Sequence, residues 1–225
     1  PVIDRLVRDE QGVPITYDEL EDTTQLLDEA EGAGHSEWAE KTAFVERKLR
    51  QLLENVDKWI PTQEQNLQKR ATELFQELLK KAGSEAQQIL EASGHAHAKR
   101  FIEQLRDCFD KLQSILGQTA NTEAEIAKKS WDDVHQACHK LKEARAKPWE
   151  VWKRNKASQE EQVQELHDHL RSYAMHRLRE AAAQVALSVL QEMQLQHKVS
   201  EWAVLVQHWE QHWQDTRQRL ENLCD

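Results

Sequence analysis

SQEEQVQELHDHLRSYAMHRLREAAAQVALSVLQEM, residues 158–193, decides the fold. Ser158 and Glu161 form a capping box, in which hydroxyl and carboxylate satisfy the orphan amides of a helix start near Gln159. Behind it, Val163, Leu166, Leu170, Tyr173, Arg177, Ala181, Val185, Val189 and Met193 follow in steps of three and four. That spacing places one stripe along a single helix face. The stripe continues through Val199, Val206, Trp213 and Leu220, and neither Gly nor Pro occurs in the 77 residues after Pro148. One very long C-terminal helical region is therefore predicted. It divides in two only if Ser200, ahead of Glu201 and Trp202, opens a second helix.

The rest of the chain reads the same way. Trp38, Val45, Leu49, Leu52, Val56 and Trp59 form one stripe, and Leu67, Ala71, Leu74 and Leu78 form another one residue out of register. Pro61 lies between them, so a helix break is predicted there. Gly83 is expected to close that helix. Leu90, Phe101, Leu105, Cys108, Leu112 and Ile115 make a third stripe, with a weak point at Ser93-Gly94 and an end at Gly117. Thr122 and Glu125 then cap a helix whose inward residues are Ala127, Trp131, Val134, Cys138 and Leu141, limited by Pro148.

The fold class expected is all-α: an elongated antiparallel multi-helix bundle or coiled coil with a very long C-terminal helical region. Residues 36–225 form the long-helix bundle, which admits a subdivision near 117–122. Residues 1–35 form an acidic N-terminal arm or linker, broken at Gln11–Pro14, with a short helix opened by Thr16 and Glu19 and running to about Glu31. Ten acids in that arm stand against Arg5 and Arg8, a net charge of -8 within a chain total of -10. The nearly neutral remainder offers no general attraction to nucleic acid or anionic lipid.

Composition narrows the function further. Only 6 Gly and 4 Pro in 225 residues leave no phosphate-binding loop, nucleophile elbow or strand-turn-helix signature. No apolar run is long enough to cross a bilayer. Cys108, Cys138 and Cys224 are too few for a disulfide framework and are expected to be free thiols, which fits a cytoplasmic protein. No Glu-x-x-His occurs, so a di-iron carboxylate bundle is not expected. Neither an enzyme nor a cofactor is predicted.

Three constellations remain. His135 and His139, and again His208 and His212, are spaced one helical turn apart and could chelate a metal as pairs. Histidines at that spacing on a solvated face are the plainer account. Residues 128–156 carry nine bases against four acids, including Lys140, Lys142, Arg145, Lys147, Lys153, Arg154 and Lys156. Trp131, Trp149 and Trp152 are interleaved, a pattern that pairs phosphates and stacks bases. Electrostatic docking of the acidic arm near this segment is also expected. Finally, 8 Trp against 2 Tyr is a high ratio, and Trp149, Trp152, Trp202, Trp209 and Trp213 are the candidates for a partner-binding surface.

These observations favour a non-enzymatic structural or interaction module: a helical scaffold, spacer, protein-docking or oligomerisation domain within a larger protein, with a protein partner or self-association. The alternatives are a nucleic-acid or membrane-surface binder using 128–156, and a metal-binding helical bundle.

Overall fold

The computed structural model describes residues 2–9, 11–17, 38–145, 156–193 and 195–224. Five α-helices account for the regular structure there: α1 Val2–Leu6, α2 Trp38–Ser93, α3 His95–Arg145, α4 Lys156–Glu192 and α5 Leu195–Cys224. The fold is all-α. Among the described residues no helix is long and apolar enough to cross a membrane. Glu19 and the short helix expected up to Glu31 lie outside the described residues.

Several expected breaks are absent, and packing explains why. Pro61 sits inside α2, with Val56, Ile60 and Leu67 buried on either side of it. Their burial outweighs the ~3 kcal/mol that an interior proline costs. The Thr62 hydroxyl donates to the Trp59 carbonyl at 2.6 Å in the disturbed turn. Gly83, Gly117 and Thr122 are likewise interior to helices. Each Gly costs about 1 kcal/mol against Ala, a penalty that neighbouring buried residues such as Ala82, Leu116 and Ala120 readily offset.

The real break is at Gly94. Its φ of +81° is a left-handed conformation that side chains disfavour. Its N–H donates to the Leu90 carbonyl at 3.2 Å, and α3 begins at the next residue. The C-terminal region is two helices. They part after Glu192, leaving Ser200 inside α5 rather than at its start.

The chain forms two compact units, Pro1–Leu67 with Thr119–Ala183 and Gln68–Gln118 with Gln184–Asp225. In the first unit α3 and α4 are antiparallel, because contacts that rise along one helix fall along the other. Glu123 meets His176 and Arg179, Ser130 meets Ser172 at 3.3 Å, and Lys140 meets Glu165 at 2.7 Å. The core of this unit joins Leu52 and Val56 of α2, Val134, Ala137, Cys138 and Leu141 of α3, and Val163, Leu166, Leu170 and Ala174 of α4. Tyr17, fully buried, closes the same cluster and sets its ring edge-on to Trp59, with centroids 5.1 Å apart.

In the second unit the buried residues are Ala71, Phe75, Leu79, Ala82 and Ala86 of α2, Ala98, Ile102, Phe109 and Leu116 of α3, Ala186, Val189 and Leu190 of α4, and Val199 and Val206 of α5. Ala71, Val189, Val199 and Val206 are buried as expected, whereas the stripes from Leu74 to Leu78 in α2 and from Phe101 to Ile115 in α3 are one residue off. Leu78 is 37% exposed and Ile115 57%, while Leu74, Leu105 and Leu112 are only half-buried and Cys108 is exposed.

Candidate functional site

In the second unit α5 lies across α2 and α3 where they meet at Gly94. Gly83 admits the Trp202 ring so closely that a Cβ there would stand 3.1 Å from Cζ2. Arg106 of α3 donates to the Ser200 hydroxyl at 3.3 Å. Beyond these contacts the helices separate into a cleft of about 580 Å³. Ala86 and Leu90 of α2 and His95 and Ile102 of α3 form one wall, and Leu205, Val206, Trp209 and Trp213 of α5 form the other.

The α5 wall is unusual in its exposure. Trp209 is 61% exposed, Trp213 62%, Leu205 58% and the neighbouring Val204 52%. Two indole rings in water forfeit much of the burial that makes Trp stabilising. Polar groups are few here. His95 Nε2 is enclosed with no hydrogen-bond partner among the described residues, and an unmet buried polar atom costs about 1–3 kcal/mol.

The other candidate residues are dispersed. His135 is exposed and presents its ring to Trp131 at 4.7 Å. His139 lies 3.6 Å from Glu143. His208 and His212 are both exposed, and His212 lines the cleft. Among the described residues no group of three or more His, Cys, Asp or Glu could hold a metal ion. Of the basic segment, Lys140 is ion-paired with Glu165 and Lys142 is exposed. Trp149, Trp152, Lys147, Lys153 and Arg154, and the side chains of Arg145 and Lys156, lie outside what is described. Trp202 is half-buried against Gly83, so it forms the floor from which Trp209 and Trp213 rise.

A second polar cluster belongs to the first unit. Arg179 donates through Nε to Glu123 at 2.7 Å and through Nη1 to Asp4 at 2.9 Å. His176 Nδ1 donates to the other Glu123 oxygen at 2.6 Å. The N-terminal segment is thus tied to α4 by charge at Arg179, and its Ile3, Leu6 and Val7 are buried. Tyr17 joins the core cluster that includes Val134, Ala137, Cys138 and Leu141 of α3, and the acids of residues 18–31, on which electrostatic docking is expected, lie outside the described residues.

Burial alone would raise the Glu123 carboxyl, but the hydrogen bonds from His176 and Arg179 outweigh it and hold the pKa below its ordinary value. With the folded-state value depressed, the stabilisation is fully present above the ordinary carboxylate pKa of about 4.3. It is lost as pH falls through the lower folded-state value. Urea unfolding should accordingly show acid destabilisation below about pH 4.3 that is reduced in Glu123→Gln. At pH 7 that variant should be about 1.5–3 kcal/mol less stable, the usual worth of a hydrogen bond to a charged group. A Glu123→Gln protein with the parent's acid profile would show that the cluster contributes nothing.

Sequence reasoning picked out the three Trp of α5 but missed the opposite wall. Gly83 was the available signal: a glycine inside a helical pattern marks close approach of a neighbour. No family model, curated protein or solved structure matches the chain.

Proposed function

We propose that the chain is a non-enzymatic helical interaction module that docks an apolar helical segment in the cleft between α5 and the α2–α3 corner. The observation that carries this reading is the pair of exposed indoles, Trp209 and Trp213, on the wall of a concave site. Large exposed apolar patches mark interaction surfaces, and Trp is among the residues most enriched at the energetic centres of interfaces. An amphipathic helix laid in a groove uses anchors spaced like those of the α5 wall. The basic-segment reading takes second place because Lys140 is already engaged by Glu165.

Selection of amphipathic helical peptides from a display library against the 225-residue chain tests the site. Selected peptides should bind the Trp209→Ala/Trp213→Ala variant about tenfold or more weakly, as truncating two such anchors does. Both rings are exposed, so the variant should keep the parent's helical circular dichroism. Peptides that bind parent and variant equally, or no enrichment at all, would sink the reading.

A further inference from the structure

The α5 sequence carries apolar or small residues at Leu195, Val199, Trp202, Val206, Trp209, Trp213, Thr216, Leu220 and Leu223, alternating steps of four and three without interruption. This is a coiled-coil seam along the whole helix. The second unit covers only its first half. Val199 and Val206 are buried, whereas no described side chain of α5 beyond Val206 is.

The reason is geometric. Ser200 meets Arg106 and the level of Trp209 and Trp213 reaches His95, so α5 runs antiparallel to α3 and passes its first residue near position 211. The remaining residues of α5, at ~1.5 Å each, carry the seam roughly 15–20 Å past the corner at Gly94.

Resting on the docking reading above, we infer that the occupant of this site is a second copy's α5. The two helices would pair antiparallel about a two-fold axis between positions 214 and 215. That register sets Trp209 level with Leu220 of the second copy and Trp213 level with Thr216, giving four core layers in which bulky residues face smaller ones. Charge selects it. The positions flanking the seam are Glu210 and Arg217 on one side and His212 and Arg219 on the other; in this register each Glu210 stands opposite the second copy's Arg217 and each His212 opposite its Arg219, twice by symmetry. Sliding one heptad either way sets Glu210 against Glu210 or Arg217 against Arg217. A parallel pair sets His212 beside Arg217 and Leu205 beside Glu210, with no opposite charges meeting. Only the antiparallel arrangement about 214/215 gives both a filled seam and a flank of opposite charges, Glu210 with Arg217.

The contact is small. Four indoles at about 60% exposure offer roughly 400–600 Å² of the 150–250 Å² that each Trp can bury. Leu205, 58% exposed, adds to this but leaves the interface in the low-area, reversible class. A concentration-dependent dimer is therefore expected.

Sedimentation equilibrium of the 225-residue chain from about 1 to 100 μM, the range of weak complexes, should show the average mass rising from one chain toward two. Glu210→Arg alone and Arg217→Glu alone should each weaken the dimer about tenfold, because two pairs become like-charge contacts at once. The double variant Glu210→Arg/Arg217→Glu should restore the parent's affinity, and Trp209→Ala/Trp213→Ala should leave a monomer of unchanged helicity. A monomer at every concentration overturns the inference. It leaves the docking reading standing if selected peptides still bind the cleft in a Trp-dependent way. A dimer that survives the Trp variant, or a double charge swap no better than the single ones, overturns it as well, since association then uses another face or another register.

Discussion

Leu170→Asp should prevent the first unit from folding. Leu170 is 1% exposed at the centre of a core shared by α2, α3 and α4, and no cation lies among the residues of that cluster. Burying an unpaired carboxylate costs more than about 4–5 kcal/mol, and protonating it still leaves a polar group among aliphatic side chains. A typical domain has ~5–15 kcal/mol in all. Circular dichroism and limited proteolysis should therefore show a large loss of helix and rapid cleavage. Arg171→Asp, at the adjacent exposed position, should stay within about 0.5 kcal/mol of the parent. If Leu170→Asp melted like the parent, the buried face of α4 would be assigned wrongly.

Phe75→Ala in the second unit should have the next largest effect. Phe75 is fully buried, and removing a core phenyl ring costs about 3–5 kcal/mol in transfer and cavity terms. Leu78→Ala, three residues on, should cost less than about 1 kcal/mol, because Leu78 is 37% exposed and water fills the space it leaves. Urea titration of the two variants measures the difference. Equal losses would contradict the helix register that places Phe75 and Leu79 inward.

That register is also where sequence and structure part company. Helical content and the seams Val134, Cys138, Leu141 and Val163, Leu166, Leu170 were readable from spacing, because polar neighbours flank every one of these residues but Cys138 and one face alone can be buried. Along α3, by contrast, Phe101 and Ile102, Cys108 and Phe109, and Ile115 and Leu116 are adjacent apolar pairs. Two faces 100° apart satisfy the period equally, and only the neighbouring helices select Ile102, Phe109 and Leu116. Helix ends were misread for a related reason. Pro61 and Gly83 are strong local signals, yet tertiary burial on both sides exceeds their propensity cost. Of the cleft, the α5 wall was legible as a run of Trp. For the opposite wall, Gly83 and Gly94 were local signals, but that α5 is the helix packing against them is a long-range arrangement that no local pattern encodes.

The ion pair between Asp4 and Arg179 joins residues 175 positions apart. On a ribosome adding 5–20 residues each second, about 10–35 s separates synthesis of the two partners. Throughout that interval Tyr17 lacks the α4 side chains of its core cluster and Asp4 lacks its guanidinium partner. The helices made in between pair mostly with near neighbours and can assemble first. Residues 2–17 are thus sealed only after α4 has been made, and chaperone access is expected to concentrate on them until then.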